Sequence, residues 1–547
     1  MVNTLADNAS APVVQPKATR PRGSFWLAAN SVALVAAALA MRAWRLGNIP
    51  GINGDEAWYG VQALALVHGG TVDWWTPTGN PINVFFMFPL AALHAVFGPS
   101  FALLRAVALA SGVLALVANY WLCRRVFDAR TALVSTLLLA LLPINIAYSR
   151  FAWDTSQSLL ATLLVLYLPL WHYRGRRDAA SLPVAGMVAL AAAMLVHPTN
   201  IFAAPLVAVP IAYAWRHKAW RKSQAVAVPA KTWTLAGLAT GSIIVAYLAW
   251  LALWGAAVRL RGPDEFLAFA QNYLKLFSGA TVYEYICGVD QATGALAWFA
   301  FLPVVCKVLF GIAVVCGVFG MMRRLAAESG DDDICLVLGW GIMLAGFFVV
   351  AGPDAVAPHL ERYGICLIAP GAVVLARGWA WWLEPGQSRA RAATWSLAMA
   401  AWLFPATFYL GYFDFIERTG GRSHLAFRTA AVEPKLAALR YVSARRKAGR
   451  ATRIVAGEWW NYWPLAYLAG SANELRVVSG QPWQGETQTQ QPPGSKESES
   501  TWYVEFADSP ADQEVLGRAG QSGKRVERHL VCDYSGQPLL SVVGPAE

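Results

Sequence analysis

Apolar runs of about 20 residues, the length a helix needs to cross a hydrocarbon layer, alternate through most of this chain with short polar segments. They are Phe25–Leu46, Phe101–Leu122, Ala132–Tyr148, Ser158–Tyr173, Ser181–Val196, Ile201–Trp215, Trp233–Ala257, Trp298–Met321, Ile334–Ala351, Gly364–Leu383 and Ala392–Tyr412. Only 14% of the 547 residues are charged and 56% are hydrophobic, against roughly a quarter charged in soluble domains, which excludes a soluble globular protein. The expectation is an α-helical polytopic membrane protein with about 11 spans, within a range of roughly 10 to 13.

Charge distribution sets the orientation. The net charge of +11 would suit nucleic acid if it were spread over one surface, but Lys and Arg cluster beside the runs. With the first run as an uncleaved anchor behind Lys17, Arg20 and Arg22, alternation puts Arg124/Arg125, Arg174/Arg176/Arg177, Arg216–Lys222, Arg323/Arg324 and Arg389/Arg391 on one side, the cytoplasm. Residues 47–83, the Ser149–Asp154 turn, His197–Asn200, Val258–Ala297, Gly352–Arg362 and the C-terminal tail then face outside. Val84–Phe97 is short, contains Pro89 and breaks the alternation if counted, so it reads as an interfacial or partly inserted helix.

From Phe413 the composition becomes that of a soluble domain. Glu433–Lys447 is helix-like, Thr452–Ala456 strand-like, and Gln481–Ser500 a polar insertion, which together predict a small external α/β domain. The division is a cytoplasmic tail at 1–24, a transmembrane module at 25–412 whose first external loop is 47–83, and an extracytoplasmic domain at 413–547. Five of the seven cysteines lie in or beside apolar runs without CxxC spacing, which argues against a metal cluster or disulfide framework; Cys287 and Cys532 lie outside.

Polar residues gather on the external side. Gly54-Asp55-Glu56-Ala57-Trp58-Tyr59 sets two adjacent carboxylates just past the first span, where acids near a low-dielectric boundary are costly and often functional. An ordinary helix start with a first-turn acid explains the pair equally well. Arg150 and Asp154, His197 in His197-Pro198-Thr199-Asn200, and His359, Glu361, Arg362 and Tyr363 all stand at span ends on this side. Singly they suit interfacial anchoring and capping; together they supply an acid to activate an acceptor and cations to hold a departing phosphate. The spans themselves are nearly free of Asp, Glu and Lys, which counts against a transporter. The aromatic and acidic loop Val258–Ala297, with Tyr273, Tyr283 and Tyr285, suits an amphipathic interfacial helix or a sugar surface. Trp-rich Glu458–Trp463 suits a glycan or membrane headgroups.

Over roughly its first 380 residues the chain resembles the C-type integral-membrane glycosyltransferases, in the branch of the protein O-mannosyltransferases and the lipid A aminoarabinose transferase. The features that carry this are Asp55-Glu56 with Tyr59, Asn80-Pro81 and the amphipathic run after it, Leu122-Cys123-Arg124-Arg125-Val126-Phe127, Tyr148-Ser149-Arg150, His197-Pro198-Thr199, and Arg362-Tyr363 before Pro370. The resemblance implies inverting transfer of a sugar from a polyprenyl-phosphate carrier to an extracytoplasmic lipid, glycan or protein acceptor. It makes Asp55 the base, Glu56 its assistant or a metal ligand, and Arg362 the phosphate contact. Arg150, His197, His359, Tyr59 and Tyr363 would line the donor pocket. Many relatives carry an acid, His or Lys where this chain has Asn80, so a divalent cation stays open as cofactor. The implied location is the multi-pass inner (plasma) membrane of a bacterium. A non-catalytic polyprenyl-lipid binder and a ligase or polymerase of diphosphate-linked glycans remain alternatives.

Overall fold

The computed structural model describes residues 23–174, 182–216, 241–242, 245, 261–328, 330–384, 388–420, 432–446, 452–470, 475–480, 500–521, 525–533 and 536–546. It is mainly helical. Every expected span except Trp233–Ala257, which falls almost wholly outside the described residues, coincides with a helix, from Gly23–Ala43 to Ser388–Phe408. Five helical segments among the described residues are long and apolar enough to cross a membrane: Ala106–Val126, Gly294–Ala327, Asp331–Val350, Glu361–Trp382 and Ala392–Thr419. Shorter apolar helices pack among them, and outward faces carry large apolar side chains such as Phe301, Val315 and Trp395.

Small residues set the closest packing. A Cβ added at Gly378 would lie 1.7 Å from the Gly317 carbonyl oxygen, so the backbones of Ile368–Trp382 and Phe301–Glu328 touch there. In a bilayer, where apolar side chains gain little by leaving lipid, such backbone approach is a main source of helix association. At the ends of these helices Arg377 bridges Asp128 and Asp333, and Arg324 also reaches Asp333. Val84–Phe97 is a 14-residue helix capped by Asn83 at one end and Gly98 at the other. At 1.5 Å per residue it is shorter than a full span, and it exposes Phe85, Phe88, Val96 and Phe97 while burying Phe86, Met87 and Leu90. Pro263–Ser278 is likewise amphipathic, which settles the first part of the Val258–Ala297 loop as helix.

The C-terminal region forms a five-stranded sheet of β1 (Thr452–Ala456), β2 (Leu475–Ser479), β3 (Ser500–Phe506), β4 (Val526–Cys532) and β5 (Pro538–Pro545), in the order β2-β1-β3-β5-β4. β1 pairs parallel with both β2 and β3, whereas β5 runs antiparallel to β3 and β4. The chain leaves β1 through the helix Trp459–Ala469 to reach β2, and β3 lies on the other side of β1. The C-terminal ends of β1 and β3 therefore form a switch point, where open α/β sheets present a crevice. The expected strand Thr452–Ala456 is β1, and the expected helix is Val432–Ala444. The polar insertion lies outside the described residues except for Ser500. Cys287 is buried, Cys532 is exposed, and both are free thiols.

Glu505 in β3 is buried and accepts a 2.6 Å hydrogen bond from the Gly457 amide. Burial still dominates and pushes its carboxyl up to about 8. The folded domain thus holds a proton that the unfolded chain releases near the ordinary glutamate pKa, so stability falls as pH rises from about 4.5 to about 8, by roughly 1.4 kcal/mol per unit at most. Glu505→Gln should raise the thermal unfolding midpoint of the domain in the full chain at pH 9 and leave it nearly unchanged at pH 4.5. An equal shift at both pH values would contradict this.

Candidate active site

The site begins with a helix cap. The Asn53 side chain accepts from the Asp55 amide, and the Glu56 carboxylate reaches back to the Asn53 amide, so Asn53-Gly54-Asp55-Glu56 is a capping box that starts the loop helix Gly54–Val67. Adjacent residues on a helix point about 100° apart, and the two acids diverge accordingly. Glu56 turns into the protein, where it is fully buried and paired with Arg105 at 2.7 and 2.8 Å. Its carboxylate also accepts from the Ala152 amide at 3.0 Å. Arg105 fills its remaining donors with the carbonyls of Leu46, Pro50 and Gly51.

Asp55 turns the other way, into a cavity of about 440 Å³. One carboxylate oxygen stands 3.6 Å from the Arg362 guanidinium, and the other accepts a 3.0 Å hydrogen bond from the Trp459 indole. Its side chain remains 32% exposed. Arg362 comes from the segment Glu361–Leu367 at the N-terminal end of the helix Ile368–Trp382, and also hydrogen-bonds the Tyr363 hydroxyl. Tyr59, Asp154, His197, His359 and Tyr363 also line it. Burial first, then the neighbouring Asp154 carboxylate, holds the Tyr59 phenol well above its ordinary pKa, so it stays protonated. His197 caps the turn Pro198–Ala203, with its ring 2.7 Å from the Thr199 hydroxyl and beside the Tyr363 ring.

Asp55, Arg362, His197, His359, Tyr59 and Tyr363 therefore converge, whereas Glu56 and Arg150 do not reach the cavity. Arg150 is fully buried and donates to the carbonyls of Met41, Arg42 and Ile49, which ties the end of the first helix to the Tyr148–Phe151 turn. Glu361 is buried behind the wall and accepts from Tyr148 at 3.0 Å. Asn80 lines the cavity beside Thr76 and Thr78. Among the described residues no group of three or more His, Cys, Asp or Glu side chains is arranged to hold a metal ion, so the residues present do not by themselves make a cation site.

Sequence reasoning left Trp459 and Trp460 unassigned, yet both line the cavity, as do Trp58, Trp153 and Tyr285. The run Glu458–Trp463 carried an aromatic signal, but no spacing rule links it to Asp55, 404 positions away in the chain.

Comparisons with known proteins agree with this architecture. Residues 81–250 match the family model described as dolichyl-phosphate-mannose-protein mannosyltransferase. A crystal structure of ArnT from Cupriavidus metallidurans bound to undecaprenyl phosphate aligns with 95% of this chain and 98% of that one, at a TM-score of 0.55 and 14% identity. The apo form of that protein aligns with 96% and 98%, at 0.53 and 14%. An apo oligosaccharyltransferase from Archaeoglobus fulgidus covers 88% of this chain and 70% of its own, at 0.49 and 15%. No curated protein sequence matches significantly. The fold is that of a multi-pass membrane protein with an appended α/β domain. Within that class, the chain resembles the C-type integral-membrane glycosyltransferases, as its motifs implied.

The Glu56–Arg105 pair generates a prediction here. Removing one partner of a buried ion pair leaves an uncompensated charge and costs about 3–5 kcal/mol. Arg105→Ala should therefore lose most folded protein in a detergent thermal-shift assay. Arg105→Met/Glu56→Gln, which buries no lone charge, should recover part of it; two equally damaged variants would contradict a structural pair.

Proposed function

We propose that this protein is an inverting glycosyltransferase that takes a sugar from a polyprenyl-phosphate carrier at the external face of a bacterial inner membrane. The observation that carries this reading is the Asp55 carboxylate facing the Arg362 guanidinium at 3.6 Å on the wall of one aromatic-lined cavity. The family match and the fold shared with an ArnT that binds undecaprenyl phosphate support the donor class.

In this reading the acceptor hydroxyl attacks the anomeric carbon as the bond from that carbon to the phosphate oxygen breaks, and its proton passes to Asp55. The bonding electron pair leaves on the phosphate, next to Arg362, whose fixed charge stabilises it without reorganisation during the reaction. Positive charge that develops on the sugar in an oxocarbenium-like transition state is met by Asp55 and by Asp154, which also lines the cavity. His197, His359, Tyr59 and Tyr363 contact the donor. Glu56 and Arg150 act through the backbone that they pin.

The donor-identifying experiment is sugar release from a panel of purified undecaprenyl-phosphate sugars by the full chain in nanodiscs. Asp55→Asn should lower turnover by at least about 10²-fold, the usual range for a general base, with undecaprenyl-phosphate affinity within about twofold of the parent. Turnover near the parent's would remove Asp55 from the mechanism. Unchanged binding in a parent that turns over no member of the panel would favour a lipid binder. Arg362→Ala should weaken undecaprenyl-phosphate binding about tenfold or more, the scale of a lost charge-assisted contact. Equal affinity in this variant would contradict the phosphate assignment.

A further inference from the structure

The helix Trp459–Ala469 of the C-terminal domain lies directly on the loop helix Gly54–Val67. Trp459, Trp463 and Tyr467 stand at intervals of four, so they share one face of their helix. That face meets the loop helix where it has no side chains. A Cβ at Gly54 would come within 2.7–2.9 Å of the Trp459 and Trp460 rings, and one at Gly60 within 2.5 Å of the Tyr467 ring. Trp463 and Tyr467 are buried with Trp58, Tyr59, Leu64 and Leu104 in one cluster. The Tyr467 hydroxyl donates to the Ser100 carbonyl at 2.8 Å and lies 3.3 Å from His94 Nε2. The contact is thus anchored along two turns, and its outer end delivers the Trp459 indole to Asp55.

We infer that Trp459 is a positioning residue, which holds the Asp55 carboxylate in its working orientation and makes transfer depend on the C-terminal domain being seated on the loop helix. A carboxylate on a surface helix rotates freely about its side-chain bonds. Here one oxygen accepts from the indole N–H and the other faces Arg362, so contacts from two distant parts of the chain constrain the carboxylate plane. Indole is a donor only, so it orients the carboxylate without competing for the proton that a base must accept. Its companion Trp460 lines the cavity beside it, so the domain supplies part of the wall as well as the orienting contact. The inference rests on the assignment of Asp55 as the base.

The test uses the full chain in nanodiscs and the donor the panel identifies. Trp459→Phe keeps the ring and loses the N–H; it should lower kcat about tenfold while the donor KM changes less than about twofold. Gly54→Ala, which pushes the rings away, should give the same split. The double variant should be no worse than the worse single one, because both changes break the same contact. A parental kcat in Trp459→Phe, a loss confined to KM, or a rise in kcat, as expected if the indole merely plugs the base, would each overturn the role. A second readout needs no turnover. With 5-fluorotryptophan incorporated, the ¹⁹F resonance that disappears in Trp459→Phe should shift in Asp55→Asn, and an unmoved resonance would overturn the contact. If Asp55→Asn keeps its turnover while that resonance shifts, the base assignment fails and the contact between the domains stands.

Discussion

The site depends on one fully buried ion pair. Glu56 and Arg105 are both inaccessible to water, and between them they gather the Ala152 amide, the Asn53 amide and the carbonyls of Leu46, Pro50 and Gly51. Such a pair earns little net stability, because desolvation offsets its attraction, but it has a narrow choice of geometries. It fixes where the first helix ends, where the loop helix begins and how that helix is rotated. The neighbouring Asp55 is thereby turned toward the cavity.

Around that fixed point the cavity is assembled from distant parts of the chain. The loop helix gives Asp55 and Tyr59, two turns give Asp154 and His197, and the segment before the helix Ile368–Trp382 gives Arg362 and Tyr363. The C-terminal domain closes the remaining side with Trp459 and Trp460, carried on the helix that leaves the sheet switch point. Buried Arg150 does for the first helix what Arg105 does for the loop, by donating to the backbone carbonyls of Met41, Arg42 and Ile49. The buried charges of the bundle thus act as braces, and the partly exposed ones are those the proposed reaction uses.

Much of this was legible in the sequence, because span length and charge alternation are one-dimensional properties. The apolar runs among the described residues coincide with helices, Val84–Phe97 is a short helix as its Pro89 and length implied, and Thr452–Ala456 is a strand. Asp55, Asp154, His197, His359, Arg362 and Tyr363, expected on one side, line one cavity, whereas Arg150 and Glu361 do not. Rotation about a helix was not legible. Asp55 and Glu56 are neighbours with the same chemistry, and only the position of Arg105, 49 residues away, decides which one is buried. Arg105 itself sits inside an apolar run and carried no motif. Nor could the sequence say that Trp459 returns to the helix Gly54–Val67, since that contact depends on how the C-terminal sheet packs against it.

The account's central claim is that the Asp55–Arg362 cavity receives a polyprenyl phosphate. Cryo-electron microscopy of the full chain in nanodiscs containing undecaprenyl phosphate tests this directly. The account predicts phosphate density against Arg362 within the cavity, with the prenyl chain leaving between helices toward the bilayer. Ordered lipid phosphate bound elsewhere, with this cavity empty at saturating ligand, would contradict it.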